Sequence, residues 1–433
     1  MTERRKEIHS FLALLALLAL MSLLVTASTG CSAGSTSEGA WQHETTTDGN
    51  VKTVRTLGGS VWGGTARLVE EASIGELKGD DAYILGNVDG IAVGVERIYI
   101  LDSQVPIIRS YDLTGRHLRD IGREGSGPGE YLRPESVATH PVDGRLFVRT
   151  PDNTRINVYS PDGEPLTHWP IRSGFHTSNP LLVTHDGDLY TLVITNYGVD
   201  VTEWRMGLIR CGPEDAVIDT IHAPVFDFEP WTIVGRSENS TSVNNVPFSP
   251  DVAWAVAPDR SVLGGVSKVY RFEIRRSDGT VTVVEKEWDP VPVQPEEGRW
   301  HERAATANMV RQFPGWAWNG RAVPNHKPAY DGLFPDRSGR IWVRRPGMGI
   351  IQEDGVKDPF EESGWWRNPY WVDTHTVEVF DLDGGFLCEV EMPEGFQFSP
   401  QPYIEDDMVV AYVEDEEGVP YIKRYRLVLP ERE

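Results

Sequence analysis

Apolar residues recur at every second position in short runs along most of this chain, and the runs are broken by Gly, Asp and Asn. The clearest case comes back. Arg97 to Leu118 reads RIYILDSQVPIIRSYDLTGRHL, and 48 places further on Arg145 to Leu166 reads RLFVRTPDNTRINVYSPDGEPL. Arg97 falls on Arg145, Tyr99 on Phe147, Ile100 on Val148, Tyr111 on Tyr159, Gly115 on Gly163 and Leu118 on Leu166. Each copy is an alternating run, a polar turn, a second run ending at an aromatic, then a Gly turn and a third run. Alternation rich in β-branched and aromatic residues between such turns predicts an antiparallel meander. A meander that repeats every 40–50 residues or so predicts the blades of a β-propeller.

The same grammar can be followed six times. Its second and third strands are expected at Arg97 to Leu101 and Ile107 to Tyr111, then Arg145 to Arg149 and Arg155 to Tyr159. Blade three is expected at Leu189 to Val193 and Gly207 to Cys211, blade four at Ser261 to Leu263 and Tyr270 to Ile274. Blade five follows at Arg340 to Arg344 and Thr376 to Phe380, blade six at Met408 to Val413 and Ile422 to Leu427. The chain stops soon after the third strand of blade six, and an open last blade would expose an unpaired edge. Ala66 to Ile74 is therefore expected to supply the missing outer strand. The fold class is all-β, a six-bladed propeller of four-stranded antiparallel blades closed by an N-terminal strand.

Three long inserts interrupt the even spacing, at 222–252, 287–331 and 347–375. The second is expected to hold a helix from Pro295 to Phe313, with Pro at a first helical position and acids in the first turn. Loops of this length in a compact domain usually serve a function, and these are rich in Trp.

TPDNTRINVYSPDGEPL resembles an NHL repeat. Blade one with its tail GREGSGPGEYLRP, and VPNHKPAYDGLFPDRSGRIWV further on, resemble uncharacterised six-bladed propeller lipoproteins of bacteria. The likeness runs from about Ala66 to the end. It implies the fold and assigns no reaction, since propellers host lyases, lactonases, receptors and scaffolds alike.

The N-terminus gives an address. Arg4, Arg5 and Lys6 precede an apolar run from Phe11 to Val25 that is short for a membrane span, and Ser28-Thr29-Gly30-Cys31 follows. Small residues before a Cys resemble the bacterial lipobox, with Ser28 where that motif prefers Leu. The resemblance implies that residues 1–31 are a lipoprotein signal with its lipobox, cleaved just before Cys31, and that the lipidated Cys31 anchors the chain in the cell envelope at the outer membrane. Residues 32–62 are expected to be a flexible tether and 63–433 the propeller. Acidic residues outnumber basic ones 65 to 41, for a net charge of −24, so a nucleic-acid partner is not expected. A monomer is expected, touching the membrane through its lipid alone. Cys211 and Cys388 fall in different blades and are expected to stay separate buried thiols.

Candidate chemistry is sparse. In 122–134 (GREGSGPGEYLRP) Pro128 and Pro134 rule out the helix that a Gly-rich phosphate cradle requires, so an interblade crossover is expected, with Arg123, Glu130 and Arg133 as polar candidates. His140, His185, Asp331 and Glu405 fall near inner-strand ends but form no metal-ligand motif, and no cofactor is expected. No nucleophile elbow is present. The insert aromatics remain: Trp300, Trp316, Trp318, Trp365, Trp366 and Trp371, with His326 and Tyr330 beside them. Trp offers a flat apolar face and an N–H, suited to a peptide, protein or glycan. The sequence therefore points to a tethered binding module using its insert face. A metal-dependent hydrolase or lyase with its site in the central channel is the alternative, and it requires three or more channel carboxylates and imidazoles to converge.

Overall fold

The computed structural model describes residues 40–171, 181–214, 218–362 and 368–430. Cys31 and residues 32–39 of the expected tether lie outside them, as do Trp365 and Trp366.

The chain forms a six-bladed β-propeller. Blade one shows the plan: Val88–Gly94, Arg97–Asp102, Ile107–Asp112 and His117–Ile121 pair antiparallel in sequence order, from the channel outwards. Blades two to five repeat it, with inner strands Ser136–Thr139, Leu182–Val183, Val252–Val256 and Gly332–Pro335. Blade six has Tyr403–Glu405, Met408–Glu414 and Pro420–Val428, and its fourth strand is Thr65–Ile74 from the other end of the chain. The expected closure is present.

Alternation decides the packing. Inward residues of neighbouring blades interdigitate into six buried cores, one at each seam. Ile98, Ile100 and Tyr111 of blade one meet Val410 and Ile422 of blade six, for example, with Ile74 between them. The turn after the third strand of blade one is held by an Asp–Gly pair. The Asp112 carboxylate accepts the N–H groups of Thr114 and Arg116, and Gly115 takes φ 89°, a left-handed conformation that a side chain strains. Blades four and five are also joined by Glu378, which accepts from Lys286 at 2.7 Å, Arg345 at 3.0 Å and the Tyr270 hydroxyl at 2.5 Å.

One expectation is corrected. Within the segment expected to be a flexible tether, Gln42–Asp48 and Val51–Gly58 form a hairpin. Its second strand runs parallel to Val281–Lys286 and widens blade four to six strands. The run VKTVRT alternates β-branched and charged residues, and Gly49 at φ 59° makes the tight turn. Val54 and Thr56 are buried, and Arg55 pairs with Glu285 at 2.9 Å.

Candidate functional site

In an antiparallel meander the turn between first and second strands emerges at one end, and that between second and third at the other. Two inserts follow outer strands and the third joins second to third strand, so all three leave from one face. The first turns mark the opposite face.

On the insert face the helix Pro295–Gln312 packs against the hairpin Thr232–Arg236 and Thr241–Asn245 and against the long arm formed by Arg340–Ile351 and Trp371–Asp381. Lys327 ties these parts together. Its Nζ, fully buried, lies 2.6 Å from Glu297 of the helix and 2.6 Å from Asp373 of the arm, and donates to the Gly347 carbonyl at 2.9 Å.

The aromatics in this cap are engaged in packing. Trp300 is buried against Ala304 and Trp371, and its indole donates to the Val356 carbonyl at 3.0 Å. Trp371 is equally buried. Tyr330 is fully buried and donates to the Arg271 carbonyl. Trp316 and Trp318 are half-buried beside Ile233, Met309 and Phe313, and donate to the carbonyls of Val234 and of Gly320 and Arg321. Among the described members of this set His326 alone is exposed. The stacking faces expected to meet a ligand are therefore largely spent on the cap's own core.

Arg123, Glu130 and Arg133 are not brought to the cap. Glu130 accepts from the Gly127 N–H at 2.8 Å and from Arg123 at 2.7 Å, and the two hold its carboxyl below the usual range. Arg133 pairs with Asp152 of blade two. Arg155 of blade two donates to the Gly127 and Glu130 carbonyls, so the loop is a crossover clamped between blades, as expected.

The expected channel residues are dispersed. His140 pairs with Asp143. Against the cost of burial, His375 and Arg344 hold the Asp331 carboxyl below its ordinary range. Among the described residues no three of His, Cys, Asp and Glu stand close enough to share a metal ion. Cys388 is buried as expected, whereas Cys211 is only half-buried; both are free, and burial pushes each thiol up to about 12.

What the fold does build is a chamber along the channel, a cavity of about 530 Å³ with walls from all six blades. Ile91, Ala138, Val183, Trp254, Phe334 and Tyr403 represent them in turn. One cation spans its end. The turn Asp336–Gly339 is fixed by Asp336, whose carboxylate accepts the N–H groups of Ser338 and Arg340, the Arg340 guanidinium and the buried Trp342 indole. Arg337 is thereby carried over the channel. Its Nη1 donates to the Val183 carbonyl of blade three at 3.3 Å, and its Nε to Glu405 of blade six at 3.3 Å. The Tyr403 hydroxyl donates to the other oxygen of Glu405 at 2.6 Å. Nη2 has no partner among the described residues, and neither has the amide of Gln401, which also lines the chamber.

Arg337 was not among the expected site residues, though a signal exists. Pro-Asp-Arg-Ser occurs twice, at 258–261 and 335–338, each time as the first turn of a blade. In blade four Arg260 reaches instead to Asp188 of blade three.

No curated protein matches the chain. Among solved structures it is similar to a member of the duf4221 family from Bacteroides vulgatus, at 9% identity over 84% of this chain and 99% of that one, TM-score 0.45. A putative exported protein from Bacteroides fragilis is 12% identical over 84% and 95%, TM-score 0.42. A virginiamycin B lyase from Staphylococcus aureus is 10% identical over 79% and 95%, TM-score 0.36. At such identities and scores none of them lends this chain a ligand or a reaction. Residues 69–168, most of the closing strand with blades one and two, match the model of a family described as a 6-bladed beta-propeller.

Proposed function

We propose that this protein is a ligand-binding module of the cell envelope, anchored through Cys31, that holds its ligand in the central chamber. The chamber itself carries the reading. Its volume of about 530 Å³ falls within the roughly 300–1,000 Å³ of small-molecule sites, and apolar walls with a few convergent polar groups are what such sites have in common. The wide insert face supports it less, because its rings already pack on one another.

Filling the chamber tests this. Ala255 lines it from blade four, and Ala255→Trp places an indole in the space. Small apolar molecules, charged and neutral, are screened by thermal melting. A ligand at about 100 times its Kd stabilises the parent by about 2.7 kcal/mol, and Ala255→Trp should lose that gain while folding normally. Ligands that raise the melting temperature of both proteins equally bind elsewhere and refute the chamber.

The anchor is tested separately. Mass spectrometry of the mature protein should find a lipid-modified Cys31 at its N-terminus, and Cys31→Ser should release it from membranes. An unmodified N-terminus further along, such as after Ala40, rules the anchor out.

A further inference from the structure

We infer that the ligand of the chamber carries a carboxylate on an apolar body, and that Arg337 receives it. The inference rests on the chamber reading above. It is drawn from what Arg337 leaves undone. A guanidinium presents its N–H groups in a planar fork and stays charged under all ordinary conditions. Two of its three nitrogens are engaged here, by the Val183 carbonyl and by Glu405, and Nη2 is left over at the end of a largely apolar cavity. Its side chain is 16% exposed, so most of the guanidinium is drawn out of bulk water while Nη2 stays accessible to an incoming acceptor. The acceptor that suits such a fork best is a planar anion.

The neighbouring carboxylates do not take that place. Asp336 lines the chamber but its two oxygens already accept four donors, and it is nearly inaccessible. Glu405 meets Arg337 through one oxygen at 3.3 Å, while Tyr403 holds the other. A bidentate pair would sit shorter and use two nitrogens, so Glu405 neutralises Arg337 incompletely. A ligand carboxylate can approach Nη2 from the chamber side with its body along Phe334, Ala138 and Trp254. Gln401, with its amide unpartnered among the described residues, is the second polar group on the wall.

Matched ligands test the charge without changing the shape. 4-Phenylbutanoate and its primary amide are titrated calorimetrically into the parent, Arg337→Gln and Glu405→Gln. The acid should bind the parent at least about tenfold tighter than the amide, and Arg337→Gln should bring the two within about twofold. Glu405→Gln removes the competing anion and should widen the preference severalfold. A guanidinium serving only as a strut between blades would change melting in Glu405→Gln and leave the acid-to-amide ratio untouched, which overturns the inference even if Arg337→Gln fails to fold. Equal binding of acid and amide to the parent also overturns it and leaves the chamber reading standing. Binding of neither probe to the parent, in a chamber of this size, overturns both.

Discussion

His301 lies on the helix between the rings of Phe248 and Trp300, with centroids at 4.8 and 4.9 Å, and its Nε2 has no hydrogen-bond partner among the described residues. Burial pushes its pKa down to about 4; Glu297 opposes the shift and Lys327 adds to it. The unfolded chain takes up this proton near pH 6.5, the folded chain only near 4, so between these values the unfolded state binds more protons. Stability contributed by neutral His301 is complete above about pH 6.5 and is lost as pH falls towards 4. Between pH 7.5 and 5 the loss should be about 2 kcal/mol. Urea unfolding of the parent and of His301→Leu at both pH values checks this: the variant should lose less than the parent by that amount. Equal losses would mean that the imidazole is solvated in the native cap. Little of this is legible in the linear chain: Trp300 is the sequence neighbour and Glu297 stands one turn back on the helix, but Phe248 and Lys327 reach His301 only through the fold. Arg337 is hidden for the same reason: only ring closure brings blades three, five and six around one guanidinium.

At the scale of elements, what is legible is what local pattern dictates. The helix begins at Pro295 and ends at Gln312, within a residue of expectation, since Pro at the first position and acids in the first turn are local signals. The inner strands of the blades are less regular; Leu182–Val183 is only two residues long, too short for any periodicity to show. The hairpin at 42–58 was hidden by its Thr, Gly and Asn content, which resembles a linker when read as composition and a strand pair when read as alternation. The Trp-rich inserts posed the opposite problem. Exposed loops and satellite cores have the same composition, and the structure separates them through the indole N–H. In Trp300, Trp316 and Trp318 that group already donates to a backbone carbonyl of the cap, so ring and N–H are both in use before any ligand arrives. The unspent polar group, Arg337, stands instead on the face opposite these inserts.

For the whole molecule the question is what keeps six similar blades in one ring, and the answer lies at Thr65–Ile74. This strand pairs with Pro420–Val428 over seven positions and, through Thr65 to Arg67, also runs parallel to Glu389–Glu391 of blade five. Glu70 and Glu71 pair with Lys423, Arg424 and Arg426 on its exposed side. Ala66 and Ile74 are buried at its two ends, Ala66 in the core between blades five and six and Ile74 in the core between blades six and one. One strand thus closes two seams, and without it blade six presents an unpaired edge and two opened cores. The hairpin at 42–58 makes a natural control, because it also adds strands to a blade yet lies outside the ring. Deleting 65–75 should abolish the single cooperative melting transition and leave a protein that aggregates on purification, whereas deleting 40–58 should preserve the transition at a modestly lower temperature. Ile74→Ala tests the same strand without breaking the backbone. Its cost should fall in the roughly 2–5 kcal/mol range of a buried Ile-to-Ala change, and it should lower one transition, not split it, since blades that share a core on both sides melt together. Two resolved transitions in Ile74→Ala, or a 65–75 deletion that melts like the parent, would mean that the ring is held by its other seams and that the N-terminal strand only covers an edge.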